Sequence, residues 1–507
     1  MYRSSAWMFV TVFAITLASG LLAAQTVQAQ TLTTLHSFAG LDGYDPIGAL
    51  VQATNGDLYG TTFYGGSNYN GSSYLGGGTV FKITAGGKLT RLYTFCSLTN
   101  CADGLAPYAG LIQATNGDFY GTTQDGGANY PANNGGSVFK ITSLGKLTTL
   151  YSFCSEADCA DGTLPQAPLI QATNGKFYGT ALGGGVYGIG TVFEMTEAGA
   201  MDWLYSFPYP NAANGATPEA GLLQANDGNF YGTTINDGTN SNSAGTIFEI
   251  TPPTPPGTVT SIYSFCSLGA FPDCTDGASP EAALIQDSAG NFYGTTYAGA
   301  KGKANVCPVG CGTVFKLSAA GVLTTLHTFQ GPDGEILYSG LVLGSDGNLY
   351  GTTAYGGANK GGGTLFRVTT DGATFTTLYS FCAQPKCTDG AYPYGTLIQA
   401  TDGNFYGTTG GGGDKDKGTV FKLSVGLAPF VETQTSSGKV GSAVEILGTD
   451  LTGATSVTFN GTSATFTVNS TGSAITTTVP TGATTGTVTV TTSSGVLSSN
   501  KPFAVRE

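Results

Sequence analysis

Glu219 and Glu281 occupy equivalent places in the chain: each follows a proline, Pro218 or Pro280, and each opens an apolar run. Two carboxylates brought side by side can hold a cation, or divide the roles of acid and base between them. The same place is filled in other repeats by Ile47, Tyr108, Gln166 and Tyr394, and by Tyr338, which follows Leu337 instead of a proline. Tyrosine offers a ring that stacks on a sugar and a hydroxyl that bonds to one. A constant frame carrying a changing residue is the pattern of a binding rim. Tyr108, Gln166, Glu219, Glu281, Tyr338 and Tyr394 are therefore the candidate ligand-binding residues.

Other reactive side chains read differently. The loops leading to this place carry Asp-Gly at Asp42, Asp103, Asp161, Asp276, Asp333 and Asp389, with Asn214 as a variant. Such pairs could ligate calcium, but an Asp bonding its own backbone in a turn accounts for them. The two histidines, His36 and His327, fill a position held elsewhere by Tyr93, Tyr151, Tyr205, Tyr263 and Tyr379. They read as substitutions in an aromatic slot. With no serine elbow, phosphate loop or metal-spaced histidine cluster, the sequence nominates no catalytic residue, no metal site and no cofactor.

The frame that must position the rim is a repeat. Tyr-Gly-Thr-Thr, or a one-residue variant, recurs at Tyr59, Tyr120, Tyr178, Tyr231, Tyr293, Tyr350 and Tyr406, at steps of 61, 58, 53, 62, 57 and 56 residues. Each unit holds four short runs rich in Val, Ile, Phe, Tyr and Thr; in the second they are 111–115, 118–123, 137–142 and 146–153. That is strand chemistry. Asn-Gly and Asp-Gly dipeptides join the first two as tight hairpins. We label the strands A (innermost) to D (outermost). Residues of both parities are apolar, so both faces of each sheet should be covered. A charged residue recurs in strand C at Lys82, Lys140, Glu194, Glu249, Lys316, Arg367 and Lys422, and should reach the wet edge. The last unit lacks a D strand and the N-terminus supplies a spare one. The expectation is an all-β, seven-bladed β-propeller over residues 32–424, closed by its N-terminal strand. A–B and C–D turns then share one side; the longer D–A and B–C loops share the other, which carries the rim.

The ends of the chain differ from the repeats. Residues 1–29 combine Arg3, a short apolar stretch and Val27-Gln28-Ala29, the features of a cleaved secretory signal. No membrane span is expected after cleavage. Residues 427–507 are rich in Thr, Ser, Val and Gly and predict a small β-sandwich. The ten cysteines fall as near neighbours: Cys96 with Cys101, Cys154 with Cys159, Cys266 with Cys274, Cys307 with Cys311, and Cys382 with Cys387. In an exported chain this predicts five local disulfides. Loops so short gain only about 2 kcal/mol each, so loop shape is the larger effect. A formal charge of −13, from 19 basic and 32 acidic residues, argues against nucleic acid and anionic lipid as partners.

The units written "LIQATNGDFYGTT…GGSVFKITSLGKLTTLYSF" resemble the GloVer-type tandem repeat of exported bacterial proteins, over residues 32–424. The segment "GSAVEILGTDL…ATSVTFNGTSATF…TGTVTVTTSSG…PFAV" resembles the IPT/TIG Ig-like domain, over residues 427–507. The first resemblance implies export and brings no established activity. This chain ends in residues 501–507 without the hydrophobic tail of anchored members. The A-to-D pattern also looks like that of virginiamycin-B-lyase-type propellers, which depend on a loop histidine that this chain lacks. The expectation is a monomeric, secreted or surface-located bacterial protein, or a periplasmic one. It would bind an extracellular ligand, foremost a polysaccharide, without catalysis. Two alternatives stand beside it: a carbohydrate-active or lyase-type enzyme using Glu219 and Glu281, and a structural envelope component.

Overall fold

The computed structural model describes residues 30–506 except 68–75, 131–133, 210–212, 240–242, 252–257, 301–306 and 360. The signal predicted at 1–29 lies outside the described residues. Each repeat is a four-stranded antiparallel sheet with its strands in chain order. In the first, strands A to D are Val51–Gln52, Leu58–Thr62, Thr79–Ile83 and Leu89–Thr94. Five further sheets repeat the pattern, and the seventh takes the N-terminal strand Thr31–Ser37 as its outer member. That strand pairs antiparallel with Thr419–Ser424, from Thr31 opposite Ser424 to Ser37 opposite Thr419. The predicted pairing of the chain's first strand with its last repeat strand is thus present.

Each residue of the repeated tetrad has a separate task. The tyrosine packs on a phenylalanine of the next sheet: Tyr59 on Phe119 at 4.0 Å between ring centroids, Tyr120 on Phe177 at 4.1 Å, Tyr350 on Phe405 at 4.2 Å. The glycine makes room for strand C's aromatic ring; a Cβ on Gly60 would lie 2.7 Å from Phe81. The first threonine donates a hydrogen bond to a carbonyl of the following sheet. These bonds run from Thr61 to Ala109, Thr122 to Ala167, Thr180 to Ala220, Thr233 to Ala282, Thr295 to Ser339 and Thr352 to Pro393, and Thr408 returns to Gly48. The second threonine meets a strand C hydroxyl, as Thr62 meets Thr79 at 2.8 Å.

Strand A is shorter than predicted. The second sheet's reads Ile112–Gln113, where the sequence suggested 111–115. Just before strand A the chain bonds sideways to neighbouring sheets, as Ala109 does to Thr61. Strand C's charged residues are partly exposed in an otherwise buried run, and some reach back to the A–B turn: Lys82 lies 3.6 Å from Asp57 and Lys140 3.6 Å from Asp118.

Beyond the repeats lie two four-stranded sheets and a parallel pair. Their strands include Ala443–Leu447, Ser456–Phe459, Ala474–Thr478 and Val488–Thr492. Val444, Ile446, Val457, Phe459, Ile475, Val490 and Phe503 form their core. This unit docks on the A–B turns: Gln434 donates to the Gln113 carbonyl, Asn469 and Ser473 donate to the Thr54 carbonyl, and Arg506 donates to Thr173.

All ten cysteines are paired as predicted. Cys96 is bonded to Cys101, Cys154 to Cys159, Cys266 to Cys274, Cys307 to Cys311 and Cys382 to Cys387. Cys101, Cys159 and Cys387 each end a one-turn 3₁₀ helix. Cys274 instead closes a longer loop, eight residues after its partner. Five such bonds are consistent with an extracellular or periplasmic protein. Among the described residues, no helix is long and apolar enough to cross a membrane.

Candidate functional site

The rim is built by one backbone device repeated seven times. The residue two places before each rim residue has a left-handed backbone: Asp45 (φ 58°), Ala106 (56°), Leu164 (57°), Thr217 (55°), Ser279 (52°), Ile336 (59°) and Tyr392 (59°). Non-glycine residues resist this conformation by about 1–2 kcal/mol. It persists because two hydrogen bonds fix it. The N–H of Ala106 donates to Gly77 of the preceding sheet, and its carbonyl accepts from Gln124 of its own. The same two bonds recur at Asp45, Leu164, Thr217, Ser279, Ile336 and Tyr392. Six of these residues precede proline, whose ring fixes the next φ. The side chain after it is then delivered to the same point of every repeat.

All six predicted rim residues converge. Tyr108, Gln166, Glu219, Glu281, Tyr338 and Tyr394, together with Ile47, line a single cavity of about 110 Å³. Its remaining walls are small residues, among them Gly48, Ala109, Gly110 and Gly395. Inner strands approach closely here: a Cβ on Gly110 would lie 2.4 Å from the Ala49 carbonyl oxygen.

The cavity is two-sided. Tyr338 packs edge to face with Tyr297 at 5.3 Å and with Tyr394 at 5.2 Å, and the Tyr394 and Tyr355 hydroxyls are hydrogen-bonded at 2.9 Å. Tyr108 packs against Phe63 at 5.8 Å. Facing these rings are the acids and Gln166. Burial pushes the Glu219 carboxyl up to about 7. Burial, reinforced by the charge of Glu219, pushes Glu281 up to about 9. Interacting acids lose their protons in steps that belong to the pair. Burial alone raises Asp45 to about 6. The Tyr108 hydroxyl is raised by burial and by the charges of Glu219, Glu281 and Asp45, so it remains a donor at any physiological pH. Among the described residues, no lysine, arginine or histidine lines the cavity.

Sequence reasoning missed the layer above. Phe63, Tyr297 and Tyr355 support the rim tyrosines, and Asp45 adds charge. For Phe63 and Tyr297 the signal was present: the position just after the tetrad changes from copy to copy as the rim does, through Phe63, Gln124, Leu182, Ile235, Tyr297, Ala354 and Gly410, whereas Tyr355 lies one place further on.

The other nominated groups are structural. The Asp103 carboxylate accepts from the Tyr93 hydroxyl and from the Ser97 and Leu98 N–H groups. Asp161, Asp276 and Asp389 have equivalent partners. His36 and His327 take the tyrosine's part, bonding Asp42 at 2.8 Å and Asp333 at 2.9 Å. A larger recess of about 470 Å³ lies beside the N-terminal strand, but its His36 and Asp389 are already engaged in these pairs. Cys307 and Cys311 stand near Glu335 as metal ligands would, yet they are joined in a disulfide.

A family model described as Gloeobacter/Verrucomicrobia repeat matches residues 72–307 and 268–475. No curated protein matches. Among solved structures, a fungal alcohol oxidase of the AA5 family in complex with copper is similar at a TM-score of 0.50 and 12% identity, covering 94% of this chain and 98% of that one. A putative gluconolactonase aligns at 0.38 and 8%, covering 79% and 94%, and a luciferin-regenerating enzyme at 0.38 and 13%, covering 79% and 98%. At such identities the first likeness concerns fold alone, and its coverage takes in both the repeat sheets and the C-terminal sheets.

Proposed function

This chain belongs to the Gloeobacter/Verrucomicrobia repeat family, and from that premise we propose that it is an exported, non-catalytic binding protein whose loop face recognises an extracellular polysaccharide. In this reading, residues 32–424 are a seven-bladed β-propeller and residues 427–507 an IPT/TIG-type Ig-like domain, acting together as a monomer after loss of residues 1–29. The threonine bonds that pass from sheet to sheet and return from Thr408 to Gly48 support the closed ring.

The observation that carries the binding reading is the convergence of six independently placed rim residues on one cavity, with tyrosines on one side and acids on the other. A recess of about 110 Å³ has room for about four waters at roughly 30 Å³ each, enough for the end of a ligand. The rest of a polymer would lie across the loops, where Leu41, Leu98, Tyr187, Tyr209, Leu268 and Phe271 stand exposed. A thermal-shift and calorimetric panel of glycans tests this. Binding without turnover is expected, weakened at least tenfold when Tyr108, Tyr338 and Tyr394 are changed to Ala. No binding across the panel would leave the structural-envelope alternative.

One observation favours a second reading, turnover of the same ligand. A carboxyl raised to about 7 beside one raised to about 9 is suited to proton transfer near neutral pH. Product release abolished by Glu219→Gln would establish that reading over simple binding.

A further inference from the structure

We infer that the cavity selects a protonated primary amine, so that the polysaccharide is one bearing free amino groups, such as a polymer of unacylated hexosamine. This inference rests on the binding reading above and adds the ligand's charge.

The side chains lining the site favour it. Glu219 and Glu281 line the same cavity and lie close enough for the charge of one to act on the other, both are mostly buried, and among the described residues the lining holds no cationic side chain. Asp45 adds a third acid close enough to act on Tyr108 and Tyr394. The Lys417 ammonium sits over the Tyr44 ring at 4.0 Å. A neutral hydroxyl would be served by one amide such as Gln166 and gives no reason for two adjoining acids. A positively charged group gives one, because it relieves their mutual repulsion and lets both ionise.

The shape of the site distinguishes an ammonium from a metal ion. Calcium wants six to eight oxygens. Among the described residues, the one set of three or more metal-ligating His, Cys, Asp or Glu side chains drawn together is Cys307, Cys311 and Glu335, elsewhere on the loop face. Glu219 and Glu281 are instead accompanied by three tyrosines, Tyr108, Tyr338 and Tyr394. Aromatic rings attract an organic cation and carboxylates accept its N–H groups. An ammonium with its attached carbon also fits a recess of this size, whereas an N-acyl group would remove the charge and add bulk.

The test compares three oligosaccharide probes of equal length by calorimetry at pH 6.5 on the full chain: a glucosamine oligomer, its fully N-acetylated counterpart and a glucose oligomer. The glucosamine oligomer should bind at least tenfold more tightly than either neutral probe. Glu219→Gln and Glu281→Gln should each remove most of that preference while Tm stays equal or rises, which separates lost recognition from lost folding. Equal or better binding of the N-acetylated or glucose oligomer overturns the amine inference and leaves the polysaccharide reading standing. Failure of all three probes, with calcium or without it, overturns both. Binding of calcium alone, abolished by Glu281→Gln, would replace the amine with a metal.

Discussion

At the scale of single residues, one repeat reveals what the others conceal. The third copy reads Tyr178-Gly179-Thr180-Ala181, and Ala181 stands where five other copies have a threonine bonded to a strand C threonine, and a sixth one bonded to Ser137. Its partner, the Thr191 hydroxyl, is buried and unbonded. Ala181→Thr should restore the bond and stabilise the protein by about 1 kcal/mol, read as an increase in denaturant midpoint at unchanged slope. The rim acids have the opposite effect. Their folded pKa values, about 7 and about 9, lie above the ordinary carboxylate range. Between those limits the native state holds protons that the unfolded chain has released, so stability falls as pH rises from about 4.5 to about 9. Glu281→Gln should flatten that fall and stabilise the free protein at pH 9 by on the order of 2 kcal/mol. A pH series of melting temperatures checks both slope and sign; an unchanged slope would mean that the acids are solvated.

At the scale of elements, the N-terminal strand and the D–A loops matter most. Thr31–Ser37 contributes Leu32 and Leu35 to the cores on either side of the seventh sheet. Deleting residues 31–37 uncovers the edge of Thr419–Ser424 and should lower Tm by more than 5 °C while promoting self-association through that edge. Light scattering beside calorimetry would show both; a monomer with unchanged Tm would contradict the role. Strands B to D were legible in the sequence because their apolar runs are bounded by Asn-Gly, Asp-Gly or Gly-Gly, leaving little freedom in placing them. Strand A was overextended because its Leu-Ile-Gln run is as apolar as the others while its bonds go to neighbouring sheets, which a local pattern does not reveal. The left-handed residue before each rim position was also invisible, since Ala106, Leu164 and Ile336 carry no propensity for positive φ. Tertiary hydrogen bonds impose it.

At the scale of the whole molecule, register made the rim readable. Seven aligned copies turn a difference between Tyr108 and Glu219 into a statement about one place in space. The supporting layer of Phe63, Tyr297 and Tyr355 escaped because its function depends on packing against the rim, a contact between loops far apart in the chain. The placement of the C-terminal sheets was equally beyond the sequence. Their bonds to Thr54, Gln113, Thr173 and Thr401 occupy the turn side, opposite the loops. The molecule therefore has a front and a back. Held by its rear sheets on a solid support, it would present its acidic recess outward like a socket; held by its loops, that recess would be covered however firmly the chain were folded.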